Sequence, residues 1–333
     1  MLGSSDEVLA SAYDLAMLDL DGVVYVGGDA VPGAPGHLAA ARADGMRLAF
    51  ITNNASRPPG VVAEHLRRLG VEAAEDDVVT SAQAAARVLV DRFGAGARVL
   101  CLGADGLRQA LEAEALVPVG PEDEAVAVVT GYGPEVRWVE LMRVAVRIRE
   151  GLPWVASNTD MTFPASFGVA PGHGVQVEML RRFSDVTPVV AGKPERPLID
   201  ETVRRVGGRR ALMVGDRLDT DIEGARRADV DSLLVLTGVT GLPELVAATP
   251  ELRPTYVAAD LAGLLQAHEV PARADDGGFT LGGWRAAAED GGLAVTGAGD
   301  RDDWWRVVAA AAWDHLDRVG EPVGLSGVQA PGR

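Results

Sequence analysis

The chain has 333 residues, with 48 acidic against 31 basic side chains for a net charge of −17, an apolar fraction of 47% and one cysteine. That length fits one large or two ordinary domains, and the apolar content excludes intrinsic disorder for most of the chain. The charge disfavours a nucleic-acid partner, Cys101 alone cannot form an intramolecular disulfide, and no stretch approaches the roughly 18 apolar residues of a membrane-spanning helix.

The start, Met1 to Tyr13, is acidic and carries no hydrophobic leader core, so the expectation is a soluble, cytoplasmic protein that uses no membrane. Along the chain, short apolar runs ending in polar residues alternate with helical patterns, as in a parallel sheet with crossover helices. The first run, 15–18, ends in Asp19-Leu20-Asp21-Gly22. The second, 47–51, ends in Thr52-Asn53-Asn54 and precedes a helix over 58–69, which starts at a Pro-Pro pair and stops at Gly70. A middle set follows, with strands over 98–102, 125–129 and 154–155 and helices over 106–115, 136–149 and 174–183. Cys101 lies in an apolar run with no histidine near it in sequence and reads as a small buried hydrophobe. The first pattern then resumes with a helix over 197–206, stopped by Gly207-Gly208, and strands over 211–214 and 232–236. From Pro271 the chain is rich in Gly and Asp, contains Trp284, Trp304, Trp305 and Trp313, and reads as short strands followed by a helix over 303–318.

Ligands of open parallel sheets gather at the carboxyl ends of the strands, and polar residues from both ends of this chain fall there. The fold expected is α/β, a doubly wound parallel sheet of 1–80 and 188–270 interrupted by an inserted α/β domain of 81–187, with 271–333 as an extension. Two readings of the tryptophan-bearing extension stay open, packing on the core or forming a homodimer surface.

Four strand ends carry reactive side chains. Asp19 and Asp21 are two residues apart and point the same way if the strand continues, although an Asp-Gly turn explains the second alone. Thr52-Asn53-Asn54 offers a hydroxyl and amide donors before a helix, which suits an anion, although taken alone an ordinary N-cap is the better account. Lys193 is the only lysine in a chain whose other cations are all arginines. A compact ammonium on a flexible stem fits beside a carboxylate and a phosphate where a planar guanidinium does not. Asp216, Asp219 and Asp221 follow the strand over 211–214, with Glu223 close behind. Their spacing fails the alternation of a calcium loop and works as a strand tip followed by a helix: Asp216 at the tip, Asp219 as N-cap, Asp221 in the first turn.

The order Asp19-Leu20-Asp21-Gly22, Thr52-Asn53-Asn54, Lys193-Pro194 and Gly215-Asp216 with Asp221 resembles the four motifs of the haloacid dehalogenase superfamily of aspartate-based phosphatases. The long insert is similar to the α/β cap of its p-nitrophenyl phosphatase-like branch, and the likeness spans about residues 14–262. Within that branch, the runs at 79–83 and 216–224 resemble those of actinobacterial glycerol 3-phosphate phosphatases. The resemblance implies Asp19 as nucleophile and Asp21 as general acid and base. It implies a magnesium ion held by Asp19, Asp216 and the backbone carbonyl of Asp21, and phosphate binding by Thr52, Asn53, Asn54 and Lys193. Asp221 would stand behind the metal site, orienting it or Lys193.

The segment 158–174 resembles the branch's substrate loop, which makes Asn158, Asp160, Phe163 and His173 candidates for specificity; Thr159 replaces a proline common in the branch. Cap packing explains Phe163 equally well, and His173 reads more as a turn residue before a helix. The implied activity is magnesium-dependent hydrolysis of a small phosphorylated metabolite, glycerol 3-phosphate favoured. Phosphoglycolate, pyridoxal phosphate or a nucleotide is the alternative substrate, and a catalytically silent phosphate binder or transfer to another acceptor the alternative role.

Overall fold

A computed structural model describes residues 2–165 and 167–332. Of the segments discussed above, the start, the 158–174 loop and the 271–333 extension each include one residue outside that set, Met1, Ser166 and Arg333. The chain divides into two compact units. One comprises the chain up to Leu48, Leu69–Glu72 and everything from Gly208 onward; the other comprises Ala49–Arg68 and Ala73–Gly207.

In the first unit, the strands Leu15–Leu18, Ala211–Gly215, Asp231–Val235 and Tyr256–Ala258 pair in that order, all parallel. Leu15, Ala16, Met17 and Leu18 are wholly buried, which is why the run reads as continuously apolar rather than alternating. The register sets Leu18 opposite Val214, and the Asp19 N–H donates to the Val214 carbonyl at 2.9 Å, so Asp19 and Asp216 leave the sheet side by side. The extension belongs to this unit. Four antiparallel strands, Ala272–Arg273, Phe279–Leu281, Trp284–Glu289 and Gly292–Gly297, precede the helix Arg301–Val319. That helix starts on an Asp300 cap and stops at Gly320, whose φ of +84° is cheap only for glycine. Trp304, Trp305 and Trp313 are buried in one cluster with Leu218, Ile222, Leu234 and Val257, so the extension packs on the core. Asp302 fixes it there by accepting the Ala259 N–H at 2.7 Å.

The second unit holds a five-stranded parallel sheet in the order Val189–Val190, Trp154–Ala156, Ala127–Thr130, Arg98–Leu102, Val117–Val119. The chain steps from Arg98–Leu102 to the Val117–Val119 edge and then back to the other side, so the insert expected to be α/β also winds in both directions. The helices Pro59–Arg68, Ser81–Phe93, Asp105–Ala113, Trp138–Arg149, His173–Ser184 and Pro197–Val206 accompany these strands. Ser81–Phe93 was not foreseen. Thr80 starts it by accepting the Gln83 N–H at 3.3 Å while Gln83 Oε1 accepts the Thr80 N–H at 2.8 Å, a reciprocal cap. Also unforeseen is the hairpin of Thr162–Ala165 with Gly168–Pro171 inside the expected substrate loop. Among the described residues, no helix is long and apolar enough to cross a membrane.

Candidate active site

Asp19, Asp216 and Asp221 come together at the strand ends of the first unit, each offering a carboxylate oxygen within 4.8 Å of the others. Asp216 and Asp221 are buried, at 0% and 1% exposure. Like charges this close repel in a low-dielectric setting, and hard oxygen donors converging on one point match a divalent cation such as magnesium. The donor set therefore fits the metal implied by the sequence, and Asp221, expected to orient that site, offers an oxygen to the same cluster.

Local backbone chemistry explains the placement. Asp221 Oδ2 accepts the N–H groups of Asp216, 3.2 Å, and Arg217, 3.1 Å, tying the strand tip to the helical turn Leu218–Ile222. Residue 215 must be glycine here, because a Cβ would overlap the Asp221 carboxylate. The expectation that Asp219 caps this helix is corrected. The turn begins at Leu218, so Asp219 is already inside it, and its exposed carboxylate pairs with the Arg217 guanidinium at 2.8 and 3.1 Å. Asp21 is not one of the three clustered side chains; it lies in the tight turn where the Gly22 N–H donates to the Tyr25 carbonyl at 2.8 Å.

The other expected phosphate ligands lie in the second unit. Thr52 ends the strand Arg47–Thr52, and its Oγ1 accepts the Asn54 N–H at 3.1 Å. Asn54 Oδ1 in turn accepts the Ser56 N–H, 2.8 Å, and hydroxyl, 2.7 Å, so successive side-chain turns lead to the helix at Pro59 instead of a single cap. Asn53 is a hub. Its side chain exchanges hydrogen bonds with the backbone of Lys193, Nδ2 to the carbonyl at 3.0 Å and Oδ1 from the N–H at 2.8 Å, and Nδ2 also donates to Asp160 Oδ1 at 3.1 Å. Its carbonyl accepts the Ser81 hydroxyl, 2.5 Å, and Asn158 Nδ2, 2.7 Å. The sole lysine is thus a buried residue, 2% exposed, held by its main chain.

Among the specificity candidates, Asn158 Oδ1 accepts the Asp160 N–H at 3.2 Å, so an Asx turn forms although Thr159 stands where the branch has proline. Phe163 sits edge-on against Tyr132, ring centroids 4.9 Å apart. His173, the first residue of its helix, is 2% exposed. Its Nε2 lies 3.2 Å from Thr130 Oγ1, which also accepts Trp154 Nε1–H at 3.0 Å, and its Nδ1 lies 3.0 Å from Gln176 Oε1. Burial lowers its pKa to about 4, against the opposing hydrogen bonds, so the ring is neutral at pH 7 and packs within the unit. Burial also pushes the Cys101 thiol up to about 11, in keeping with an inert apolar side chain. Val239 was missed in reading the sequence; its N–H donates to Asp216 Oδ2 at 2.6 Å. The signal was a further strand end, after 231–235, with a Thr-Gly pair just beyond it.

Comparison with known proteins follows the same lines. The sequence model described as haloacid dehalogenase-like hydrolase matches residues 16–116, and one described as HAD-hydrolase-like matches 190–264. The chain is 42% identical over 316 residues to the D-glycerol 3-phosphate phosphatase of Mycobacterium tuberculosis, covering 92% of this chain and 87% of that one. It superposes on the crystal structure of a glycerol phosphate phosphatase from M. tuberculosis in complex with magnesium with a TM-score of 0.85, at 41% identity over 95% of this chain and 94% of that one. Against a 4-nitrophenylphosphatase from Thermotoga maritima the TM-score is 0.72, at 30% identity over 78% of this chain and 99% of that one.

Proposed function

Because the chain belongs to the haloacid dehalogenase-like hydrolases, we propose that it is a magnesium-dependent phosphatase of small phosphate monoesters, with glycerol 3-phosphate as the favoured substrate. The observation that carries this reading is the convergence of Asp19, Asp216 and Asp221 at adjacent strand ends. Asp19, Asp216 and Asp221 would hold the cation together with the carbonyl of Asp21, and the bound ion supplies charge neutralisation for an anionic substrate and polarises its phosphoryl oxygens.

Asp19 attacks phosphorus, the ester P–O bond breaks, and Asp21 delivers its proton to the departing alkoxide. Asp21 then removes a proton from water, the oxygen attacks phosphorus, and the bond to Asp19 breaks, releasing inorganic phosphate and restoring the Asp19 carboxylate and the protonated Asp21. Thr52, Asn53, Asn54 and Lys193 bind the phosphoryl group in this proposal, and residues 81–187 act as the cap whose Asn158, Asp160 and Phe163 select the substrate. The close resemblance to glycerol phosphate phosphatases along nearly the whole chain supports the substrate.

The two carboxylates of the first motif give the test. Asp19→Asn removes the nucleophile, so neither turnover nor a phosphoenzyme forms. Asp21→Asn keeps the nucleophile, so p-nitrophenyl phosphate, whose leaving group needs little protonation, phosphorylates Asp19 while hydrolysis stalls, and mass spectrometry of the quenched variant shows the added phosphoryl group. Accumulation on Asp19→Asn and none on Asp21→Asn reverses the roles; normal turnover by both places the chemistry elsewhere.

A further inference from the structure

We infer that Thr237 is a positioning residue for the acid cluster, acting through the loop 237–240 as a latch between two acid-bearing strand ends. The inference rests on the reading above that Asp19, Asp216 and Asp221 hold a divalent cation. The strand Asp231–Val235 runs parallel to Ala211–Gly215 with Leu234 opposite Gly215, so the chain leaves the sheet beside Asp216. There it folds back onto that residue: the Val239 N–H donates to Asp216 Oδ2 at 2.6 Å and the Thr240 N–H to the Asp216 carbonyl at 3.1 Å. An amide on one carboxylate oxygen fixes the plane of the group, and a charge-assisted bond of this length is among the stronger ones a neutral donor makes.

The same loop grips the other strand end. The Thr237 hydroxyl donates to the carbonyl of Gly22, at the end of the turn that carries Asp19 and Asp21. Two glycines make the approach possible. A Cβ on Gly22, which sits at φ +86°, would stand 2.6 Å from Asp216 Cγ, and a Cβ on Gly238 would stand 2.7 Å from Gly22 Cα and lie against the Asp216 carboxylate. Gly22 and Gly238 therefore enclose that carboxylate, and the Thr237 hydroxyl is the side-chain link between the loop that orients Asp216 and the turn that bears Asp19. Thr237 and Gly238 fall outside the four motifs read from the sequence, whereas Gly22 closes the first of them. Partners one layer out from metal ligands typically govern affinity by about 10- to 100-fold.

The test is Mn2+ binding to the full-length enzyme, measured by electron paramagnetic resonance, together with the metal concentration for half-maximal p-nitrophenyl phosphate turnover. Thr237→Val keeps the shape and loses the hydroxyl; the expected result is Mn2+ binding weakened about 10-fold or more, with the KM for p-nitrophenyl phosphate at saturating metal moved far less. Thr237→Ser restores binding to within a few-fold of wild type. Gly238→Ala, which forces a methyl against Asp216, weakens binding at least as much as Thr237→Val and serves if the latter does not fold. Wild-type affinity in both Thr237→Val and Gly238→Ala, or equal losses in Thr237→Val and Thr237→Ser, overturns the latch alone. A wild-type protein that binds no Mn2+ overturns the metal site itself, and the latch with it.

Discussion

Mild acid should loosen the second unit before the first, and His173 sets the size of the effect. Its pKa is about 4 in the folded state against 6.5 for an ordinary histidine. Between these values the unfolded chain takes up a proton that the folded chain refuses, so stability is whole above pH 6.5 and falls as pH drops toward 4. Linkage gives a loss of about 2 kcal/mol at pH 5 and about 3 kcal/mol once complete. The first unit has its own buried histidine, His268, also near 4 through burial and the neighbouring Arg306 cation. There, however, burial raises Asp302 from 3.8 to about 6. A raised acid works in the opposite sense: the folded state binds the proton first, returning about 1 kcal/mol at pH 5 and leaving a small net loss in that unit. Glu178, held near 2 by Arg181 and Arg182, gives up its contribution only below pH 4.5, outside the interval tested. Hydrogen exchange read by mass spectrometry at pH 7 and pH 5, corrected for intrinsic rates, should show protection lost across Ala127–Thr130, Trp154–Ala156 and His173–Ser184 more than across Tyr256–Ala258 and Arg301–Val319. His173→Gln should flatten the response of the second unit. Equal losses in both units, or a His173→Gln protein as acid-sensitive as wild type, refutes the reasoning.

Trp304, 2% exposed and edge-to-face on Trp305, anchors the extension, so Trp304→Ala should cost about 3–5 kcal/mol in urea unfolding; a change below 1 kcal/mol would mean the extension adds little to the core. Asn53→Ala leaves the buried Lys193 N–H and carbonyl without their side-chain partner, with an expected loss of roughly 2–4 kcal/mol and a lower melting temperature. An unchanged melting temperature would remove Asn53 from its role as hub. Phosphate release should cease in excess chelator, return with magnesium, and be poorly supported by calcium, which prefers more ligands at longer distances. Full turnover in chelator sinks the metal-dependent reading.

What the sequence made legible was whatever a side-chain pattern encodes. The helix Pro197–Val206 was bounded to the residue because Pro197 opens it and Gly207 closes it. The helix Ser81–Phe93 escaped notice because its first turns are mostly alanine, which marks neither face, and only the Thr80–Gln83 cap announces it. The hairpin in the substrate loop was hidden by Pro164, Gly168 and Pro171, residues that argue against strands. In the site, Asp19 and Asp216 were readable because each follows a buried apolar run. Val239 was not, since its contribution is a backbone amide that any residue but proline supplies. The tryptophans of the extension looked the same for a core and for a dimer surface; the helix dipping Asp302 onto the Ala259 N–H decides for the core.

Lys193 being both the sole lysine and buried has a consequence for protein chemistry. No lysine amine faces solvent, so acylating reagents, aldehydes and amine-directed crosslinkers have no surface lysine to consume them. The one ε-amino group they can modify is the group proposed to meet the substrate phosphate. Slow, phosphate-protected acylation would therefore report on how often that group becomes accessible, with no background from other lysines.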